Sequence, residues 1–187
     1  TDINVNEPQT LQEYVSARTM EAFPDALKEV VTLKSVIQLL KYEDNYIYQG
    51  DILLTPEQVQ SLDQPQTRGA VITEFARKWP EGKIYFDFEP GFVDAGKVLM
   101  AMSLWSTGTG VVSFHPRVAS TQNYVVFRHG EGYSSYVGMK GGGQSVSLPL
   151  GFDTGEALHQ IGHAIGLFNE QCRADRDNYI ILFSHNI

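Results

Sequence analysis

A chain of 187 residues with 42% hydrophobic and 19% charged residues carries enough apolar material for one or two packed domains, and this composition excludes a disordered protein. A net charge of −8 argues against a nucleic-acid partner, which wants a basic face. No apolar run reaches the roughly 20 residues of a membrane span, and no signal-peptide pattern opens the chain at Thr1, which is also the picture a removed signal leaves.

From the amino terminus, Leu11, Tyr14, Val15, Ala22 and Phe23 recur at roughly helical spacing between Pro8 and Phe23. After Pro24 a second such pattern runs through Leu27, Val30, Val31, Ile37 and Leu40, so two amphipathic helices are expected. Tyr46–Leu54 is an apolar segment interrupted by Gly50-Asp51, which reads as a turn, and Thr55-Pro56-Glu57 opens a short helix. Gln64–Val71 has the look of an exposed linker with one basic residue, Arg68. Charge changes there too: residues 1–68 hold 5 basic and 11 acidic side chains, net −6, and 69–187 hold 9 and 11, net −2, which places a boundary near residue 68.

Beyond the linker, Lys83–Phe88 alternates like a strand, Asp94–Trp105 reads as an amphipathic helix, and Val111–Phe114 and Tyr124–Phe127 read as further strands. Gly141-Gly142-Gly143 lacks the Gly-Lys-Ser/Thr of a phosphate loop and is a flexible connection into a strand at Gln144–Leu148.

His159 and His163 then stand four apart, on one face of a helix, about 40° from each other by the 3.6-residue period, so both imidazoles can reach one cation. Leu158, Ile161 and Ile165 give that helix an apolar stripe to bury. Asp153 with Glu156 three residues on can cap its start, and Gly166 can end it in a left-handed conformation. The ending matters, because only a turn at Gly166 brings residue 169 back beside the histidine pair. The single cysteine, Cys172, cannot form a disulfide within the chain; a buried free thiol is expected, with a metal-reaching thiolate as the alternative.

His159-Gln160-Ile161-Gly162-His163-Ala164-Ile165-Gly166-Leu167-Phe168-Asn169 resembles the H-E-x-x-H-x-x-G-x-x-H pattern of the metzincin zinc peptidases. With Glu170 and Asp175-Arg176-Asp177-Asn178-Tyr179 following, the likeness is to the astacin family, over roughly residues 69–187 and most specifically after residue 111. The resemblance implies an α+β fold: a metzincin-like twisted mixed sheet with a zinc-binding active-site helix, preceded by a mainly helical prosegment. It implies an inhibitory propeptide at 1–68 and, at 69–187, the upper subdomain and the start of the lower part of a secreted zinc endopeptidase. Protein or peptide substrates, the chain's own propeptide as inhibitor and an activating protease are the implied partners, with neither nucleic acid nor membrane among them.

Site roles follow residue by residue from the same likeness. His159 and His163 would ligate zinc, Gln160 stands at the general-base position and Asn169 at the third-ligand position. Tyr48-Gln49-Gly50-Asp51 resembles the propeptide element whose aspartate enters the active site, making Asp51 a switch ligand to zinc. Activation would cut after Arg68, freeing Gly69 to be buried against Glu170. Gln144, Ser145, Val146 and Ser147 would form an edge strand pairing antiparallel with substrate backbone.

Two positions depart from the family where chemistry is decided. The Gln160 amide has no titratable acceptor near neutral pH, so the chain as written is expected to be inactive or nearly so. Asn169 offers a neutral carbonyl oxygen, a poor replacement for imidazole at zinc. Met20, Met100, Met102 and Met139 all precede the zinc helix, so the methionine turn and C-terminal subdomain of the family are expected to be absent from the 187 residues given. A noncatalytic astacin-like peptide-binding protein is the alternative function.

Overall fold

The chain is described by a computed structural model over residues 30–33, 37–63, 78–169 and 178. β-Branched and aromatic residues set the first half of the sheet. Strands β1 (Val30–Leu33), β2 (Ile37–Tyr42), β3 (Asn45–Tyr48) and β4 (Ile52–Leu54) run as an antiparallel meander. The second of the two expected amphipathic helices is therefore corrected. Val30, Val31 and Ile37 are β-branched and lose χ1 freedom in a helix, and here they lie in paired strands. The first expected helix, and with it most of the helical prosegment, lies outside the described residues. Helix α1 (Pro56–Asp63) begins where the sequence placed it: the Thr55 amide donates to Gln58 Oε1 at 2.8 Å and the Gln58 amide to Thr55 Oγ1 at 3.3 Å.

The second half supplies β5 (Lys83–Phe88), α2 (Ala95–Thr109), β6 (Ser113–Pro116), β7 (Tyr124–Arg128), β8 (Ser134–Tyr136), β9 (Gly143–Ser147) and α3 (Thr154–Ile165). Among the described residues nine strands make one mixed sheet, in the order β1-β2-β3-β4-β8-β9-β7-β5-β6. β9, β7, β5 and β6 are mutually parallel, β8 is antiparallel to β9, and β4 joins β8 in parallel. This architecture is the α+β fold expected. No helix among the described residues is long and apolar enough to cross a membrane.

The main core lies between the parallel strands and the two long helices. Ile84, Phe86, Val125, Phe127 and Val146 face Val98, Ala101 and Met102 of α2 and Ala157, Ile161 and Ala164 of α3. The two helices approach closely at Gly162, where an added Cβ would lie 3.2 Å from Trp105 Cζ2. Trp105 Nε1 also donates to the Leu158 carbonyl at 2.9 Å, so α2 holds α3 by a hydrogen bond as well as by packing. Two smaller clusters join the halves of the chain: Leu40, Ile47 and Leu53 pack with Tyr136, and Leu39, Ile52, Leu54 and Val59 with Val137 and Phe168.

Gly82, at φ +66, closes the turn into β5, and a Cβ there would stand 2.0 Å from the Val111 carbonyl oxygen. Both the left-handed backbone and the contact with main chain oppose a side chain, so Gly82→Ala should destabilise the protein by about 1–3 kcal/mol. Denaturant unfolding checks this, with a shifted midpoint and an unchanged slope expected.

Candidate metal centre

α3 is built to hold its histidines still. Asp153 Oδ1 accepts from the Glu156 amide at 2.8 Å and Glu156 Oε2 accepts from the Asp153 amide at 2.7 Å, a reciprocal capping box that fixes the helix start. Gly166 takes φ 131, and its amide donates to the carbonyls of Gly162 and His163, ending the helix one residue after Ile165. The chain then turns back, which brings Asn169 into the cleft.

His163 is 2% exposed at its side chain and His159 45%, so one imidazole is locked inside and the other faces the opening. His163 Nδ1–H donates to the Leu167 carbonyl oxygen at 2.8 Å, which leaves Nε2 as the free lone pair. That Nε2 points at His159 Nε2, 3.1 Å away, and at Asp51 Oδ1, 3.3 Å away. His159 Nε2 in turn lies 2.8 Å from Asp51 Oδ2. A lone pair aimed at a carboxylate is relieved by a positive centre between them, either a proton or a metal ion. The 3.1 Å and 3.3 Å separations, with Asp51 Oδ1 as the carboxylate vertex, are close to the roughly 3.3 Å edges of a tetrahedron whose ligand atoms stand about 2.0–2.1 Å from zinc. Asp51, His159 and His163 thus form a group that could hold a metal ion.

Asp51 reaches this place from the turn between β3 and β4. Gln49 at φ 53 and Gly50 at φ 98 both have positive φ, a conformation a glycine takes without strain, and together they turn the Asp51 carboxylate into the cleft. The Asp51 carbonyl accepts from the Ser135 amide at 3.0 Å, so the residue is tied to β8 through its backbone as well. Burial pushes the Asp51 carboxyl up, but the neighbouring His159, His163 and Asn169 side chains outweigh it, and the group stays well below the usual carboxylate range. The hydrogen bond to Asp51 holds His159 above the ordinary imidazole value against its partial burial.

The two departing residues also meet at Asp51. Gln160, 2% exposed, donates from Nε2 to Asp51 Oδ2 at 2.8 Å, while its Oε1 is buried and without a partner among the described residues. Asn169 donates from Nδ2 to Asp51 Oδ1 at 2.9 Å and to the Gln49 carbonyl at 3.3 Å. Its amide therefore braces the turn that carries Asp51.

The expected edge strand is corrected. β9 is interior, hydrogen-bonded to β7 on one side and β8 on the other, so Gln144, Ser145, Val146 and Ser147 have no free backbone edge to offer a peptide. Gln144 is a brace instead: its Oε1 accepts from the Lys140 amide and its Nε2 donates to the Gly138 carbonyl, both at 2.8 Å. The strand lying between β9 and the cleft is β8, three residues reading Ser-Ser-Tyr, too short and too polar to stand out in the sequence. Its outer edge is filled by β4, in the register Ile52 to Ser135 and Leu53 to Tyr136. Trp79 was also missed; its indole N–H donates to the Ala164 carbonyl at 2.7 Å and anchors α3 beside His163. A buried tryptophan needs a partner for that N–H, and this is the signal that could have marked it. Arg68, Gly69, Glu170 and Cys172 lie outside the described residues.

A mixed sheet with one antiparallel strand at the cleft, and a capped helix whose two histidines are followed by a glycine turn, define a metzincin-type zinc-peptidase scaffold. Residues 71–187 match the Astacin peptidase family, and the chain belongs to that family. Zinc metalloproteinase nas-17 of Caenorhabditis elegans is 32% identical over 136 residues, which cover 72% of this chain and 32% of that protein. Blastula protease 10 of Paracentrotus lividus is 34% identical over 157 residues, 75% of this chain and 26% of that protein. The chain therefore spans a third or less of these curated relatives. High choriolytic enzyme 1, a hatching enzyme zinc-protease from the medaka Oryzias latipes, shares the fold with a TM-score of 0.50 at 24% identity, over 64% of this chain and 61% of that one. Zinc is the cofactor of the family's metalloproteinases, and the Asp51, His159 and His163 group is where this chain could take it.

Proposed function

We propose that this chain is the latent, proenzyme form of a secreted zinc endopeptidase, with residues 1–68 as inhibitory propeptide and 69–187 as part of its catalytic domain. The observation that carries the reading is the placement of the Asp51 carboxylate against both His159 and His163, from the turn that leads into β4, the strand filling the outer edge of β8. His159, His163 and Asp51 would hold the metal. When bound, zinc polarises a scissile carbonyl and lowers the pKa of water toward about 7, so that a nearby base can use it on protein or peptide substrates.

The chain's own residues account for latency in two ways. Asp51 occupies the position that a reacting group needs, and β4 occupies the backbone edge that a substrate strand needs. Gln160 orients a hydrogen bond but takes up no proton, so the chain as written hydrolyses nothing or almost nothing. Release would follow a cut after Arg68 by an activating protease, with the new amino terminus at Gly69 buried against Glu170. The noncatalytic reading, a cleft kept for peptide binding, gains support from Gln160 and Asn169 both pairing with a carboxylate of the bound strand.

Metal analysis tests the proposal. The full chain should bind zinc one to one, with X-ray absorption showing two imidazoles and a carboxylate oxygen at about 2.0–2.2 Å. Asp51→Asn should weaken binding and remove the carboxylate signature. Unchanged affinity and coordination in that variant would rule Asp51 out as a ligand, as would a zinc-bound structure with its carboxylate more than about 4 Å away.

A further inference from the structure

We infer that Gln160 and Asn169 are latch residues: in this chain they hold the Asp51 turn in the cleft by hydrogen bonds that need no metal. The inference deepens the proenzyme reading and rests on it only for the meaning of Asp51 as an inhibitor. The Asp51 carboxylate sits among four side chains, with Gln160 and His159 at Oδ2 and Asn169 and His163 at Oδ1. Two of these four stand where the family pattern has its general base and its third histidine. Both present amide N–H groups, which donate at every pH and carry no charge that a metal must neutralise.

The chemistry at residue 160 decides the sign. A glutamate there would bring an anionic oxygen to about the 2.8 Å at which the Gln160 amide now sits, and two carboxylates that close repel unless a proton or a cation lies between them. The amide converts that repulsion into a charge-assisted hydrogen bond. Only one of the two amide orientations fits, because the flipped one would set Oε1 against the carboxylate. Gln160 Oε1 is left buried without a partner among the described residues, so the side chain gives up one hydrogen bond to make this one.

Asn169 works on the other side of the turn. Its Nδ2 group bridges Asp51 Oδ1 and the Gln49 carbonyl, clamping both ends of the Gln49-Gly50-Asp51 turn at once. Backbone pairing of β4 with β8 and the burial of Ile52, Leu53 and Leu54 supply the rest of the hold. The substituted positions thus turn the cleft into a receptor for the chain's own acidic turn and the aliphatic strand behind it, closed whether or not zinc is present.

Amide hydrogen exchange of the full chain in a metal chelator tests this. The probe is the Ser135 amide, bonded to the Asp51 carbonyl, and the reference is the Leu148 amide, bonded to the Arg128 carbonyl outside the latch. Gln160→Glu should speed Ser135 exchange by at least about tenfold, the size of a lost charge-assisted hydrogen bond, and leave Leu148 protected. Combining it with Asp51→Asn exchanges amide and carboxylate across the contact and should restore protection to within about threefold of the parent. Asn169→Ala should speed Ser135 exchange by a smaller factor. The inference is overturned if Gln160→Glu leaves Ser135 within about twofold of the parent, or if the exchanged pair is as open as the single variant. Should Leu148 lose protection too, Gln160→Met, which removes the donor and adds no charge, replaces the glutamate, with the same rise at Ser135 expected and an unchanged rate overturning the latch. Failure of the peptidase reading would show separately, as absence of hydrolysis in the restored enzyme, with these exchange rates unaffected.

Discussion

Gln160→Glu together with Asn169→His, in the full-length protein with its linker cut near Arg68 and zinc supplied, should yield an endopeptidase that a chelator silences. Each change alone should stay below about 1% of that activity, since a positioned general base contributes about 10²–10⁴-fold and acts only beside a well-held metal. Asn169→His alone should raise zinc content without raising hydrolysis, and Gln160→Glu alone should do little of either. Residues that work as one unit do not contribute independent increments, so the departure from additivity is the diagnostic result. A cut, zinc-loaded double variant that cleaves no unfolded protein substrate would remove the peptidase reading and leave the peptide-binding one.

His163→Ala should have the second-largest effect. Its imidazole is wholly inside, oriented by the Leu167 carbonyl, and its Nε2 is the lone pair that faces both His159 and Asp51. Zinc affinity should fall by at least about 100-fold, because residues that merely orient a metal ligand already cost about 10–100-fold when removed. His159→Ala should lose comparable affinity at less cost to stability, since that side chain is half exposed and leaves no buried hole. Isothermal titration with zinc and thermal melts of the metal-free proteins separate the two effects. Equal losses of stability in both variants would show that His163 is not the structural member of the pair.

The helix that carries His159 and His163 could be read from sequence because its signals are local. The cap at Asp153 and Glu156, the four-residue histidine spacing and the turn at Gly166 all act within a span of fourteen residues, 153–166, and each has one physical meaning. Asp51 was legible only through its likeness to a propeptide element. The contact it makes with His159 joins residues 108 apart in the chain, and nothing in the local pattern around Gly50 encodes that closure. The region from Val30 to Leu40 was misread because apolar residues there fit a helical period, while their β-branching favours strands, and pairing with the rest of the meander decided the matter. The segment that forms β9 is read as an edge strand for a related reason. Val146 and its neighbours carry the apolar alternation of a strand, but which strand stands at the cleft depends on sheet order, and sheet order is a property of the whole chain.

Under the proposed maturation, in which a cut near Arg68 releases the preceding segment, the joint between β4 and β8 bears on a hazard of its own. While β4 is seated, β8 is an inner strand; once it leaves, a row of bare amides and carbonyls faces solvent, the usual template for unwanted self-association. β8 is only three residues long, and its first two are serines. So brief and polar a ledge gives a stray strand too few ladder bonds to hold, yet enough to align one short stretch of an unfolded polypeptide beside the histidines. The same brevity that hid this strand in the sequence would keep the matured protein from sticking to copies of itself.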